Sequence, residues 1–425
     1  MELKEVWLID YARTAFSRSR PKQPERDVFG EIRGDELVAE LLIKFFDEKL
    51  ADKGVERKDI EEASLGVANG TLENWSYGGR IPLFLAGFPE SVPGFSIDRQ
   101  CGSAGSGMHI GIMEIMTGNA KCVLANGFEH MTRVRGRGTE PNLKLIEKGS
   151  KYFRPDLEMQ TSFNMLQTAQ KLYEQEVPTF TKEVLDKFGV RAHNLAVKSH
   201  EEGWFKGEII PIEGHVEGDV NTPLMVDRDM NVRPSSMEGH AKLPRLSRPF
   251  YLEKNGGKEG YEKREGTDQG VITVGNSSPL NAGATSAVCM EAEEAKKKGL
   301  DPMARIVSIG WAAVHPSTMG RGPVPATKRA LAIAGLKAED IDYWEINEAF
   351  CIVALNCMDK FNLPWEKVNV MGGSTAIGHP LGSTMIRLTG TLARILKDKK
   401  AKYGVANACV GGGQGVATII ENLDA

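Results

Sequence analysis

Two pairs of similar segments recur at one fixed separation along this chain. GVERKDI begins at Gly54 and GLKAEDI at Gly335, while KCVLAN begins at Lys121 and KYGVAN at Lys402. Both separations are 281 residues (335 minus 54, and 402 minus 121). Two independent matches at one spacing indicate an internal duplication, so the chain is predicted to fold as two similar halves.

Each copy carries the same order of predicted elements: a helix, a strand, a glycine-rich turn with a long apolar helix, and a buried strand. The predicted helices cover 34–50 and 104–118 in the first copy, and 325–335 and 382–396 in the second. The inner strands are predicted to end near Gly66 and Asn347, and the closing strands are CVLAN and YGVAN. This alternation predicts an α/β fold of βαβ units with mainly parallel sheets. Ligands of such sheets bind beyond the carboxyl ends of the strands.

The middle of the chain departs from this pattern. Polar and basic stretches surround helical runs there, so we predict a loop or lid domain inserted into the first half. The predicted boundaries are 1–131 for the first part of the N-terminal half, 132–263 for the insert, 264–296 for the return to that half, and 297–425 for the C-terminal half.

Composition restricts the class of function. With a net charge of −4 over 425 residues, neither nucleic acid nor an anionic membrane is predicted as the main partner. The six cysteines form no CxxC pair, which argues against a disulfide framework and a zinc site, and no dinucleotide fingerprint follows the strands. The start of the chain is too charged for a signal peptide, and no apolar run approaches the length of a membrane span. A cytoplasmic protein without a metal or redox cofactor is predicted.

Three glycine-rich segments carry reactive side chains. They read DRQCGSAGSG around Cys101, GGSTAIGHPLGS around His379 and ANACVGGGQG around Cys409. Small neighbours leave room for a substrate, and glycine lets the backbone approach a ligand closely. Cysteine reacts as the thiolate, which a nearby base can generate. Two thiols and an imidazole in such settings predict acyl transfer through a thioester.

Two of these side chains occupy nearly equivalent turns of the two copies. Cys101 lies 20 residues before Lys121, and His379 lies 23 residues before Lys402 (121 minus 101, and 402 minus 379). A pseudo-twofold packing of the halves would bring the following helix N-termini together. A helix N-terminus offers free N–H groups and lowers the pKa of a thiol, so we expect a lowered pKa at Cys101.

Seven motifs, all in the expected order, resemble the thiolase family over nearly the whole chain. They are ARTAF (12–16), the Cys101 turn, NGFEHMT (126–132), GNSSPLNAGA (275–284), INEAF (346–350), GHPLG (378–382) and CVGGGQG (409–415). The resemblance implies a duplicated, five-layered α/β/α/β/α fold with a loop domain over the active site, assembled as homodimers or homotetramers. It also implies cleavage or formation of 3-ketoacyl-CoA by Claisen chemistry, with acyl-CoA and CoA as substrates and no cofactor.

The same resemblance implies roles for five residues. Cys101 is the nucleophile that becomes acylated, His379 takes its proton, and Cys409 is a second acid/base. The N–H of Gly411, with that of Cys101, matches the family's oxyanion hole, and Asn347 holds a water that forms a second hole with His379. Taken alone, Cys101 would be an ordinary buried cysteine, Asn347 a helix N-cap and the glycine triplet a tight hairpin.

Three further residues lie where relatives contact the substrate. Ser278 corresponds to contacts with the pantetheine part of CoA, Arg233 to contacts with its nucleotide end, and Met165 to the lining of the acyl pocket. Taken alone, the first two would be solvated loop residues and the third ordinary core. Met385 stands where relatives commonly have glycine, a departure that bears on the acyl pocket and on helix packing.

Two other functions fit part of this pattern. A decarboxylating 3-ketoacyl synthase shares the fold, but those relatives typically use two histidines, or His and Asn, beside the cysteine, so Cys409 favours a thiolase. A non-catalytic CoA- or lipid-binding or scaffolding subunit is the other alternative, and the insert 132–263 could dock a partner enzyme. The complete set of reactive residues favours a catalyst.

Overall fold

The computed structural model describes residues 3–134, 143–176, 180–249 and 269–425. Its strands are β1 (Val6–Arg13), β2 (Glu62–Gly66), β3 (Gly94–Ile97), β4 (Cys122–His130), β5 (Ile212–Val216), β6 (Asp219–Val226), β7 (Ala282–Glu291), β8 (Ala304–Ala313), β9 (Tyr343–Ile346), β10 (Tyr403–Val410) and β11 (Gln414–Glu421). Its α-helices are α1 (Gly34–Lys44), α2 (Arg80–Leu85), α3 (Ser103–Thr117), α4 (Met159–Phe163), α5 (Met165–Glu176), α6 (Lys182–Glu201), α7 (Met237–Ala241), α8 (Ala292–Lys297), α9 (Pro323–Ala334), α10 (Cys351–Phe361), α11 (Ser374–Ile377) and α12 (Thr384–Lys399).

The strands of the described ranges form one mixed sheet of nine strands, in the order β3-β2-β4-β7-β1-β8-β11-β10-β9, and a separate β5-β6 hairpin. The large sheet consists of two half-sheets that meet at the edges of β1 and β8, where only Trp7 and Leu8 pair with Arg305 and Ala304. The strand order of one half is repeated in the other: β2, β4, β7 and β1 correspond to β9, β10, β11 and β8.

The predicted duplication is confirmed residue by residue. β2 and β9 begin at Glu62 and Tyr343, β4 and β10 at Cys122 and Tyr403, and α3 and α12 at Ser103 and Thr384, each 281 residues apart (343 minus 62, 403 minus 122, 384 minus 103). The repeated glycines Gly54 and Gly335 also have the same function. Each ends a helical segment in the left-handed conformation, with φ of 66° and 67°.

The prediction of mainly parallel pairing is wrong. Parallel pairing is confined to β3-β2-β4 and to β9-β10. β7 and β11 run antiparallel to both of their neighbours, so each half contains one reversed strand. For β11 the cause is local, because only residues 411–413 connect it to β10, and a connection this short joins antiparallel strands.

Helices cover both faces of each half-sheet, which produces the predicted five layers. In β4, Leu124 and Phe128 face a cluster that includes Leu37 and Leu41 of α1, whereas Val123 and Ala125 face a second cluster with α3. In β10, Val405 and Cys409 face α9 and α10, whereas Ala406 and Ala408 face α12. The helices α3 and α12 therefore form the central layer, between the half-sheets, and pack against each other.

Close packing in the central layer depends on one glycine. A Cβ on Gly105 of α3 would lie 2.6 Å from the Cβ of Met385 in α12. Met385 is fully buried at this crossing. The departure from the family pattern noted at Met385 is thus accommodated by the missing side chain at Gly105.

The predicted insert carries α4 to α7 and the β5-β6 hairpin in its described part. The predicted boundary between 263 and 264 lies outside the described residues, so the four domain limits remain a prediction. α6 packs against α11 and α10 of the C-terminal half, which places the insert beside the residues that precede His379. In the part of the chain that the structure describes, every helix is too short or too polar to cross a bilayer.

Candidate active site

Cys101 lies in the 3-10 turn Gln100–Gly102, directly before α3. Gln100 adopts a left-handed φ of 46°, which is uncommon for a residue with a side chain, and this turns the chain sharply into the helix. Cys101 is 7% exposed. The N–H groups of Gly411 and of Cys101 itself hydrogen-bond to the thiol. The turn therefore holds a nearly buried sulfur against two backbone donors.

Burial raises the pKa of the Cys101 thiol to about 12, although the N–H groups of Gly411 and Cys101 act in the opposite direction. The expectation of a net lowered pKa at Cys101 is therefore wrong. Desolvation disfavours the thiolate more than the nearby N–H groups favour it. Cys101 is a neutral thiol at pH 7 and requires a base during the reaction.

Cys409 reaches the same place from the C-terminal half. It lies one residue before the end of β10 and is fully buried. Burial, and then the proximity of Cys101, raise its pKa well above the ordinary value of a thiol. The following turn, 411–413, is the tight hairpin that a glycine triplet alone would predict, and its first N–H also donates to Cys101. A Cβ on Gly102 would lie 2.8 Å from Val410 Cγ2, so the two turns approach closely only because that side chain is absent.

His379 follows α11 and is held by hydrogen bonds on three sides. Its backbone N–H donates to Asn281 Oδ1 at 2.8 Å, its Nδ1 lies 2.5 Å from Thr384 Oγ1, and its Nε2 lies 3.3 Å from Asn347 Nδ2. The Thr384 hydroxyl donates its only proton to the Pro380 carbonyl at 2.9 Å. Thr384 therefore accepts from Nδ1–H, and Nε2 is the basic nitrogen of the ring.

The imidazole of His379 is neutral at pH 7. Burial, and then the positive charge of Arg387, lower its pKa to about 3. The turn Leu381–Ser383 that follows His379 packs against the turn Gln100–Gly102 that carries Cys101. The neutral imidazole of His379 therefore lies close to the turn that carries the neutral thiol of Cys101. An unprotonated nitrogen near a protonated thiol is the starting state for general-base chemistry.

Asn347 follows β9 and is fully buried beside His379. It is not a helix N-cap, because α10 begins four residues later with Phe350 at its N-cap. Its Oδ1 accepts a hydrogen bond from Ser374 Oγ at 2.8 Å, and Ser374 Oγ in turn accepts one from Arg387 Nη2 at 2.8 Å. Arg387 also pairs with the buried Glu345 at 2.7 Å.

Two buried charged residues next to the site, Glu129 and Arg387, were not predicted from the sequence. Glu129 accepts hydrogen bonds from the N–H groups of Ala68, Asn69 and Gly382 at 3.0, 3.2 and 3.1 Å, and burial raises its pKa to about 7. It thereby connects the loop after β2 to the turn after His379. Each has a sequence signal, a charged side chain next to apolar residues: Glu129 follows Phe128 in β4, and Arg387 stands between Ile386 and Leu388 in α12.

The three predicted substrate contacts lie farther out. The N–H and Oγ of Ser278 both donate to the carbonyl of Ala349, two residues after Asn347. Met165 begins α5 and packs against the cluster that includes Cys409. Arg233 is exposed on the insert, donates to Asn231 O at 3.1 Å and lies near enough to Arg18 to lower its pKa.

The structure therefore brings two groups of predicted residues together. Cys101, Cys409 and Gly411 form one group, and His379 and Asn347 form the other. The packed turns join the two groups, whereas Ser278, Met165 and Arg233 stand around them.

Comparison of the sequence with known proteins identifies the family of this chain. The family model "Thiolase, N-terminal domain" matches residues 9–256, and "Thiolase, C-terminal domain" matches residues 300–422. The chain is 36% identical over 425 residues to a 3-ketoacyl-CoA thiolase of Marinobacter nauticus, with 99% of each chain covered. It is 35% identical over 428 residues to a 3-ketoacyl-CoA thiolase of Saccharophagus degradans, with each chain covered completely.

Solved structures show the same fold. The crystal structure of the Bacillus anthracis acetyl-CoA acetyltransferase superimposes with a TM-score of 0.80 at 30% identity, covering 99% of this chain and 100% of that one. The crystal structure of human mitochondrial 3-ketoacyl-CoA thiolase gives a TM-score of 0.80 at 27% identity, with 100% of each chain covered. Since both halves match and the relatives align along their whole length, the chain belongs to the thiolase family.

Proposed function

We propose that this protein is an acyltransferase that cleaves 3-ketoacyl-CoA with CoA, giving acetyl-CoA and a shortened acyl-CoA, and that it also catalyses the reverse Claisen condensation. The observation that carries the proposal is the meeting of two buried thiols, Cys101 and Cys409, around the N–H of Gly411. A decarboxylating synthase or a binding subunit has no use for the second thiol. The full-length 3-ketoacyl-CoA thiolase relatives support the same reaction.

The first half-reaction forms an acyl-enzyme. His379 Nε2 takes the proton of Cys101, and the thiolate adds to the 3-carbonyl carbon, where the N–H groups of Cys101 and Gly411 stabilise the oxyanion. Collapse of this adduct breaks the bond between C2 and C3. The acyl group stays on the sulfur, and the acetyl-CoA enolate takes a proton at C2 from Cys409. Asn347, with a water, and His379 stabilise the enolate oxygen.

The second half-reaction transfers the acyl group to CoA. The Cys409 thiolate removes the proton of the CoA thiol, and the CoA sulfur attacks the thioester carbonyl of acyl-Cys101. The sulfur of Cys101 leaves and regains the proton held by His379, so every group returns to its starting state. CoA is consumed as a substrate, and the scheme requires no metal or redox cofactor.

Ser278, Arg233 and Met165 are proposed to contact the substrate. Arg20, Arg233 and Arg26 lie close enough to Arg18 to lower its pKa, in addition to the effect of burial, and such a cluster attracts the phosphates of CoA. Ser278 bonds to the carbonyl of Ala349, two residues after Asn347, and this nearness to Asn347 supports a contact with the pantetheine chain. Met165 belongs to the flexible apolar lining suited to an acyl chain.

Assembly as a homodimer or homotetramer is also proposed. Among the described strands β3 is an unpaired edge of the large sheet, and large apolar side chains are exposed nearby, Leu72 (78%), Trp75 (57%) and Tyr77 (65%). A free strand edge beside apolar surface is a typical site of self-association. The insert remains the proposed docking region for a partner enzyme, and a cytoplasmic location is proposed by analogy with the 3-ketoacyl-CoA thiolase relatives.

The first experiment is a thiolysis assay on two substrates. CoA-dependent loss of the enolate absorbance of Mg²⁺–acetoacetyl-CoA reports on the short substrate, and product analysis reports on a medium-chain 3-ketoacyl-CoA. Activity on both predicts a broad degradative thiolase, and activity on the short substrate alone predicts an acetyl-CoA acetyltransferase. A folded protein that is inactive on both would contradict the proposed function and favour the binding-subunit alternative.

A further inference from the structure

A buried ion pair lies behind the active site. Arg387 of α12 and Glu345 of β9 are both fully buried, and their side chains are 2.7 Å apart. Removing two charges from water costs about as much free energy as their attraction returns, so such a pair contributes little to stability. Its presence therefore calls for another explanation. The hydrogen bonds of the Arg387 side chain, to Glu345 and to Ser374, both stay within the C-terminal half. Its second guanidinium nitrogen, however, points toward the reactive residues.

The donors of this segment can be ordered from the chemistry of the groups. Arg387 has no acceptor atom, so the 2.8 Å contact of Nη2 with Ser374 Oγ is a bond that Arg387 donates. Ser374 has one hydroxyl proton, which is then directed to Asn347 Oδ1 at 2.8 Å. This contact fixes which end of the Asn347 amide carries the oxygen. The amide N–H₂ is left to face His379 Nε2 at 3.3 Å.

The two sides of the imidazole agree with this order. Thr384 accepts from Nδ1–H because its own proton goes to the Pro380 carbonyl. The Asn347 amide donates to Nε2, which requires an unprotonated Nε2. All the bonds therefore run in one direction, from a donor-only guanidinium to an acceptor-only carbonyl.

We propose that Arg387, acting through the Ser374 hydroxyl, orients the Asn347 side-chain amide and, together with Thr384 on the other side of the ring, fixes the tautomer of His379. Arg387 and Ser374 are positioning residues, since neither touches the reacting atoms. The proposal rests on the proposed function only for the consequence in catalysis. The orientation itself exists without substrate and can be observed directly. We call these four residues, Arg387, Ser374, Asn347 and His379, the amide relay.

The sharpest variant is Ser374→Ala, which removes one hydroxyl and leaves the Arg387–Glu345 pair intact. We expect kcat to fall about tenfold, the effect of one lost hydrogen bond to a charged-group network, with KM unchanged. Ser308→Ala is the matched control, because Ser308 is 6% exposed and donates one hydrogen bond to Ala330 O, outside the relay. It is expected to retain wild-type kcat.

A double-mutant cycle separates positioning from loss of stability. In an Asn347→Ala background the relay has no amide to orient, so Ser374→Ala is expected to cause no further loss of kcat. Additive losses in the two variants would overturn the proposal.

For Arg387, both members of the ion pair are replaced together, as Arg387→Met and Glu345→Gln, so that no buried carboxylate is left without its partner. This variant is expected to match Ser374→Ala in kcat.

A readout without substrate completes the test. In protein labelled with ¹⁵N-histidine, His379 (identified by its absence in His379→Gln) is expected to show one pyrrole-type nitrogen at δ1 and one pyridine-type nitrogen at ε2. Ser374→Ala is expected to replace this pattern by averaged signals, since the free amide can turn its oxygen toward Nε2. An unchanged tautomer in Ser374→Ala would overturn the proposal. An inactive wild-type protein that shows the expected change would contradict the proposed function alone.

Discussion

At the scale of single residues, the groups that we propose to react are neutral in the resting protein and become charged only in the proposed reaction. Burial raises the pKa of Cys101 to about 12 and lowers that of His379 to about 3. Proton transfer from one to the other creates two opposite charges, and their attraction in a low-dielectric site offsets the cost of desolvating each. The base is therefore required for any thiolate near neutral pH.

Removal of the base is expected to slow alkylation of Cys101. In His379→Ala the thiol keeps its raised pKa but loses the proton acceptor, so the thiolate forms only at more alkaline pH. We expect the iodoacetamide rate at Cys101 to fall at least about tenfold at pH 8, with the pH profile moved upward. Peptide mapping assigns the label to Cys101 among six buried cysteines. An unchanged profile would show that His379 is not the base.

Gly411 tests the proposed oxyanion donor. A Cβ there would lie 3.2 Å from Gln100 Cγ, beside the Cys101 turn. We expect Gly411→Ala to move the N–H and lower kcat by about tenfold to a hundredfold, since loss of a whole donor costs about 10²–10³. Gly412 is the matched control: its Cβ would meet nothing closer than 3.9 Å, but its φ is 80°. Gly412→Ala is expected to cost about 1 kcal/mol of stability and leave kcat unchanged. Equal effects on kcat would argue against the donor.

At the scale of elements, the two central helices set the separation of the reactive turns. Cys101 precedes α3 and His379 precedes α12, so a change in the spacing of these helices moves both residues. The loop after β2 and the turn after His379 are also joined through Glu129. Stability and site geometry therefore depend on the same contacts.

The crossing of α3 and α12 is expected to tolerate no added atom. Gly105→Ala places a Cβ 2.6 Å from that of Met385, and overpacking of this kind costs about 1–3 kcal/mol. Chemical denaturation measures the loss. Gly105→Ala combined with Met385→Gly removes the clash and is expected to be more stable than the sum of the two single changes predicts. Strict additivity would show that the helices separate freely.

Glu129 is expected to make stability depend on pH. Its folded pKa of about 7 lies above the ordinary 4.5, so the folded state binds the proton more tightly than the unfolded state. Its contribution is present below about pH 4.5 and is lost as the pH rises to about 7, by about 3 kcal/mol. Urea unfolding at pH 5 and pH 7.5 measures the difference. In Glu129→Gln this part of the slope is expected to disappear; a slope equal to wild type would place the titration elsewhere.

At the scale of the whole molecule, local patterns predicted what repeats and missed what depends on tertiary packing. The 281-residue offset predicted the paired strands and helices, whereas the reactive roles that the glycine-rich turns indicate for Cys101, His379 and Cys409 remain a prediction. The reversal of β7 was missed, because the sequence of a strand does not record its direction. The raised pKa of Cys101 was missed because it depends on burial by both halves.

The amide relay was missed for a similar reason. Asn347 and Ser374 are 27 residues apart in sequence and Ser374 and Arg387 are 13 apart, yet each pair forms a 2.8 Å bond. Arg387 between the apolar residues Ile386 and Leu388 was the available signal, but its partners follow only from the packing of α12 against α11 and β9.

The most direct test of the central claim is trapping of the acyl-enzyme. The protein is incubated with acetyl-CoA or acetoacetyl-CoA, quenched in acid and mapped by mass spectrometry, with Cys101→Ser and Cys409→Ala analysed in parallel. We predict one acetyl group on Cys101 in the wild-type protein and in Cys409→Ala, which lacks only the second acid/base, and none at this position in Cys101→Ser. A catalytically active protein that carries no acyl group on Cys101, or carries it on another residue, would contradict the account.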